Sequence, residues 1–216
     1  MPIVLGIDEA GYGPVLGPLA VAATVLEVPA ACAGADLWTV LAEGVSARPG
    51  RDGRVCIVDS KLLYQGGHRL ARLEQHVLAT SEAPLPSAFE SFALGLGIEA
   101  AHLSCGEPWH RDAFAALPLA SDPAAVGRSR DRFRRTLDAT GVRLHAVRVN
   151  LAQPWRFNAL VAATNNKAAA LWQLAMELVE SLVERFPGQP LSVTMDKHGG
   201  RTYYADVLRE TFPLRP

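Results

Sequence analysis

Cysteine is scarce in this chain. Cys32, Cys56 and Cys105 are three in 216 residues, an odd number without the pairing of a zinc site, which points to a reducing, cytoplasmic setting. No basic segment followed by a long apolar run opens the sequence, so no secretory leader is expected. Apolar stretches such as Pro18 to Val28 are interrupted by glycine or proline and fall short of the roughly 20 residues a spanning helix needs, so no membrane partner is expected. An excess of positive charge is also lacking: 21 basic against 22 acidic residues leave a formal net charge of -1. No global field advertises a polyanion, and any nucleic-acid contact must use a local patch. Internal repeats and low-complexity tracts are absent.

What is present is 49% hydrophobic content over a length that supports one sizeable core. A single domain over residues 1–216 is expected. Ile3 to Asp8 is a β-branched apolar run ending in two acids and a glycine-rich turn, and Leu16 to Val28 suits a second central strand beside it. Val55 to Val58 reads as a short strand. Asp59 or Ser60 then caps a helix running to about Leu78. Residues 83–122, rich in proline, glycine and serine, read as a loop-rich insertion.

Ala124 to Ala139 reads as a charged helix carrying Arg128, Arg130, Arg132, Arg134 and Arg135, either a solvated face or a clamp for a duplex. Val142 to Val149 alternates as a strand. Phe157 to Phe186 has the strongest helical periodicity in the chain, and Pro187-Gly188 ends it. Leu191 to Met195 reads as a strand stopping at Asp196, and Tyr203 to Glu210 as a short helix. Strands alternating with helices, with acids at strand ends, indicate an α/β fold with a mixed sheet and a site along one edge.

The acids suggest a chemistry. Phosphodiester hydrolysis needs an activated water, a stabilised charge and help for the leaving oxygen, and divalent metals held by hard oxygen ligands supply all three. Asp8 and Glu9 are adjacent, so a regular strand sends them to opposite faces; both reach one site only if the strand ends or twists there. An isolated Asp-Glu pair is more often a solvated turn. His102, Cys105, Glu107 and His110 also lie close in sequence, but their spacing matches no strong zinc pattern and an incidental grouping is expected.

The run Gly6-Ile7-Asp8-Glu9-Ala10-Gly11-Tyr12-Gly13-Pro14, followed by Gly17-Pro18, resembles the opening motif of type 2 ribonucleases H, the ribonuclease HII family. Asp59-Ser60-Lys61-Leu62, Asn158 at the start of a long helix, and the strand-terminal Asp196 continue the likeness in the same order. The resemblance implies a ribonuclease H-like mixed β-sheet flanked by helices. It implies Asp8, Glu9 and Asp196 as catalytic carboxylates binding Mg²⁺ or Mn²⁺. The substrate implied is an RNA–DNA hybrid or duplex DNA containing ribonucleotides, and a monomer is expected.

Gly11, Tyr12 and Gly13 would approach the minor groove, where the 2′-hydroxyl distinguishes RNA from DNA. Ser60 and Lys61 would seat a phosphate, the alternative for Lys61 being a solvated side chain near a cap.

The chain departs from the family pattern at three places. Tyr12 stands where arginine or lysine is usual. Lys197-His198 stands where glycine usually follows the third acid, and His198 is expected to be an exposed turn histidine or a proton shuttle. The family draws a fourth acid from a helix farther downstream, whereas this sequence stops at Pro216, so the C-terminal part of the family fold is expected to be missing. Asp206 and Glu210 read as surface helix residues. The rival expectations are a catalytically silent nucleic-acid-binding domain and a different metal-dependent nuclease on the same fold.

Overall fold

A computed structural model describes residues 1–12, 17–50, 52–64, 69–81, 85–103, 115–198 and 203–212. In chain order the elements are β1 (Ile3–Ala10), β2 (Leu19–Glu27), α1 (Leu37–Val40), β3 (Val45–Ser46), β4 (Val55–Cys56), α2 (Ser60–Leu63), α3 (Arg69–Thr80), α4 (Phe89–Gly95) and α5 (Ala100–Leu103). They continue with α6 (Pro123–Thr140), β5 (Arg143–Ala152), α7 (Pro154–Thr164), α8 (Lys167–Val183), β6 (Leu191–Met195) and α9 (Ala205–Thr211).

The fold is mixed α/β. Its main sheet has the order β5-β2-β1-β6. β1 runs antiparallel to β2 and parallel to β6, and β2 runs antiparallel to β5. Alternation along β1 buries Ile3, Leu5 and Ile7, and in β2 it buries Leu19, Val21, Ala23 and Val25. These side chains meet Leu171, Leu174, Ala175, Leu178, Val179 and Leu182 on α8 to form the principal core. Each fully buried leucine or isoleucine there contributes about 1.5–3 kcal/mol.

The opposite face is covered unevenly. Leu26 and Leu144 join a second cluster with Phe133 of α6, while Val149 and Leu151 pack on Ala93, Ile98 and Leu103 of the α4–α5 region. Near the end of β1 that face carries the exposed Gly6, Asp8 and Ala10.

Several expectations shift. The strand expected over Val55 to Val58 is Val55–Cys56, paired with Val45–Ser46 in a separate two-stranded sheet. The helix expected from Asp59 to Leu78 is two helices, α2 and α3, with 65–68 outside the described residues. The described part of 83–122 contains the short helices α4 and α5.

The long helix expected over Phe157 to Phe186 is interrupted. Asn165 adopts φ 49° after α7, and Asn166 caps α8 by accepting from the amides of Ala168 and Ala169 at 2.9 and 3.3 Å. Asparagine tolerates the left-handed conformation and is a strong N-cap, so the pair outweighs an apolar period that runs through it. By contrast α6 forms as expected. Asp122 caps it, Pro123 occupies its first turn, and Gly141 ends it at φ 71°. Among the described residues no helix is long and apolar enough to cross a membrane.

Candidate functional site

The candidate site lies along the last three residues of β1 and just past the end of β6. Their parallel register pairs Ile7 with Met195, so Asp8 and Asp196 each follow the last paired residue. Ile7 and Met195 face α8, so Asp8, still within β1, turns to the opposite, open face, whereas Asp196 follows the last residue of β6 and borders the groove lined by Trp172, Met176 and Val179 of α8. Both aspartates are exposed. Glu9 alternates back toward the α8 side and is half-buried.

The Glu9 carboxyl is pushed above its ordinary range, first by burial, then by the negative charges of Asp8 and Asp196, against a lowering from a backbone amide. That electrostatic coupling puts the three acids in one neighbourhood. Among the described residues, no three His, Cys, Asp or Glu side chains form a ready-made metal group. The donor chemistry nevertheless fits a hard divalent cation, because three mutually repelling carboxylates are relieved by one. Closing the set around an ion requires Glu9 and the two aspartates to converge.

The glycine-rich turn next to the acids is shaped by the fold itself. Gly11 has φ +94°, and a Cβ there would come within 2.5 Å of the Pro18 carbonyl oxygen. Its own chain requires a glycine, independently of any ligand. Tyr12 is half-buried against the principal core, and its ring meets Phe157 of α7 edge-on at 6.3 Å. Gly13 lies outside the described residues.

Ser60 and Lys61 are exposed at the start of α2, but the cap is Asp59, whose carboxylate accepts from the Lys61 amide at 2.9 Å. That amide is therefore occupied, and the Ser60 hydroxyl and Lys61 ammonium remain as outward donors. Lys61 is not among the charges acting on Glu9.

His198 corrects the expectation of an exposed turn residue, being only 2% exposed. Its ring stands edge-on to Trp172 at 5.9 Å, and its amide donates to the Tyr204 hydroxyl at 3.0 Å. Lys197 is exposed. Asp206 pairs with Arg209 at 3.0 Å on the surface of α9, and Glu210 is exposed, both as expected. Of the four residues weighed for zinc, only His102 is described; Cys105, Glu107 and His110 are not.

The arginine run is not one solvated face. Arg132 donates to the carbonyls of Glu43 and Asp52, Arg134 to that of Ser81, and Arg128 stands 3.7 Å from Asp122. Arg130 lies in the buried stripe of α6 beside Val126 and Phe133. Most of the run therefore ties α6 to its surroundings.

Two polar clusters escaped sequence reasoning. Glu74, 8% exposed, accepts from the amides of Leu119, Ala120 and Ser121 and from the Ser121 hydroxyl. Its position one turn before Leu78 in the buried stripe of α3 was the available signal. Glu177 of α8 accepts from Arg156 at 2.6 Å and from Asn150 at 3.0 Å, and Arg156 also donates to the Asn150 side-chain oxygen Oδ1 at 3.1 Å. Asn150 pairs with Val21, which pairs with Glu9, so this network sits in the same row of the sheet, two strands from the acids.

The chain matches no protein-family model, no curated protein and no solved structure.

Proposed function

We propose that this chain is a metal-dependent endoribonuclease of the ribonuclease HII type, with a ribonuclease H-like sheet, acting on RNA–DNA hybrids or on ribonucleotides embedded in duplex DNA. The observation that carries the reading is the parallel register of β1 and β6. It sets Asp8 and Asp196 each one residue past the last β1–β6 pair, both exposed, with Glu9 electrostatically coupled to both. The motif around Asp8 and Glu9, together with Asp59-Ser60-Lys61, supplies the substrate class.

Asp8, Glu9 and Asp196 would hold Mg²⁺ or Mn²⁺. When bound, such ions supply Lewis acidity for the attacking water and for the leaving 3′ oxygen. The open face beside Gly6 and Ala10 leaves room for a backbone to lie across Asp8. The outward hydroxyl of Ser60 and ammonium of Lys61 offer donors to phosphate oxygens. Gly11 and Tyr12 offer main-chain groups to the minor groove, with Tyr12 anchored against Phe157. The products carry 5′-phosphate and 3′-hydroxyl ends.

The test is cleavage, with Mg²⁺ and separately Mn²⁺, of an RNA–DNA hybrid and of a DNA duplex holding one ribonucleotide. Cleavage that disappears in Asp8→Asn is the expected outcome. Cleavage of DNA without ribonucleotides would replace the substrate class, and turnover retained in Asp8→Asn would remove the assigned site.

A second reading, a catalytically silent nucleic-acid-binding domain, is favoured by the inward packing of Tyr12. A folded protein that binds the hybrid but leaves it intact with both metals would establish it.

A further inference from the structure

β6 lies at the edge of the sheet, and its recorded pairing with β1 ends at Met195. Asp196 and Lys197 are exposed, yet His198 is 2% exposed, so the chain dives back into the protein immediately after the third acid. Two elements hold it there. From α8, Trp172 presents its indole to the His198 ring at 5.9 Å and 75°. Trp172 sits beside Leu171, which is 2% exposed in the principal core, so it is carried on a rigid helix. From the start of α9, the Tyr204 ring lies against the same indole at 5.5 Å, and its hydroxyl accepts the His198 amide at 3.0 Å.

The rest of α9 is attached more loosely. Leu208 and Phe212 border a groove of about 590 Å³ against Met176, Val179 and Val193 rather than filling it. The Tyr204 hydroxyl is therefore a specific tie in a sparsely packed region. It grips the main chain two residues from the Asp196 carboxylate.

We infer that Tyr204 and Trp172 are positioning residues that hold the Asp196-Lys197-His198 segment, so that Asp196 is presented to a divalent cation in a preset place. The inference rests on the metal-dependent reading above. A carboxylate at the end of an untethered segment must be ordered when it binds an ion, and ordering costs affinity; a segment fixed beforehand avoids that cost. Supporting contacts of this kind typically alter metal affinity about 10- to 100-fold. Tyr204 acts through the main chain and not on the ligand itself, so the lower end of that range, roughly tenfold, is expected.

The experiment measures Mn²⁺ affinity of the full chain by electron paramagnetic resonance of free Mn²⁺, without nucleic acid, alongside the thermal midpoint. Asp196→Asn is expected to weaken binding strongly. Tyr204→Phe keeps the ring and removes the acceptor, and is expected to weaken Mn²⁺ roughly tenfold with little change in midpoint. In hybrid cleavage the same variant should need more Mn²⁺ for half-maximal rate while KM for the hybrid stays unchanged. Trp172→Phe, which keeps a ring but shortens its reach to His198, is the second variant and should move affinity in the same direction. Wild-type Mn²⁺ affinity in both variants, with Asp196→Asn weakened, would overturn the positioning role and leave the metal reading standing. Equal affinity in wild type and Asp196→Asn would overturn both.

Discussion

Single carboxylates in this protein sit in opposite electrostatic situations. Glu9 is held above the ordinary value of 4.5 by burial and by Asp8 and Asp196. A raised carboxyl favours the fold below that ordinary value, and the contribution is lost as pH rises through the folded value. Ionised Glu9 at pH 7 therefore works against folding, and Glu9→Gln should raise Tm at pH 7, the difference from wild type shrinking below pH 4.5. Equal Tm at pH 7 would show that the acids do not repel one another. For Glu74, burial pushes the carboxyl up, but the amides of Leu119, Ala120 and Ser121 and the Ser121 hydroxyl outweigh it, and the net direction is down. Its contribution is present above the ordinary value of 4.5 and is lost as pH falls through the lowered folded value. Glu74→Gln should cost about 2–3 kcal/mol at pH 7 in denaturant unfolding, because several amides then face a neutral acceptor. The penalty should fade in acid.

Among the elements, the division between α7 and α8 rests on two adjacent asparagines. Asn166→Ala removes the acceptor for the Ala168 and Ala169 amides and should destabilise by about 1 kcal/mol in chemical unfolding. Asn165→Gly, which relieves the positive φ, should not destabilise. Opposite results would mean that α7 and α8 join into one helix in solution. The break has a structural consequence, because α7 turns to bring Phe157 against Tyr12 and Arg156 against Glu177, while α8 keeps its apolar stripe on the sheet.

For the whole molecule, stability is concentrated in the layer of β1, β2 and α8, where Ile3, Leu5, Val25 and Leu174 are fully buried. β6 has no buried residue and α9 likewise has none. In native-state hydrogen exchange, amides of β2 and α8 should be the slowest and those of α9 among the first to exchange. Leu174→Ala should cost about 2–5 kcal/mol. The candidate site thus spans a rigid strand carrying Asp8 and a weakly covered strand carrying Asp196.

Local physics made much of this legible in the sequence. A β-branched apolar run marked β1, the run Leu191 to Met195 before an acid marked β6, and a charged helical stretch marked α6, although β1 runs two residues past Asp8, to Ala10. The Thr164-Asn165-Asn166 break was also written locally, but the apolar period across it was the louder signal. Other features depend on residues distant in the chain and were settled only by tertiary structure. Parallel pairing of β6 with β1 places Asp196 beside Asp8, a relation across 188 positions by their numbering that no short pattern encodes. The same holds for the burial of His198 under Trp172 and Tyr204, and for the Arg132 and Arg134 contacts to carbonyls of other segments. Hydrophobic periodicity and capping act within a few residues, whereas the partner of an exposed-looking histidine or arginine is chosen by which surfaces the packed core brings together.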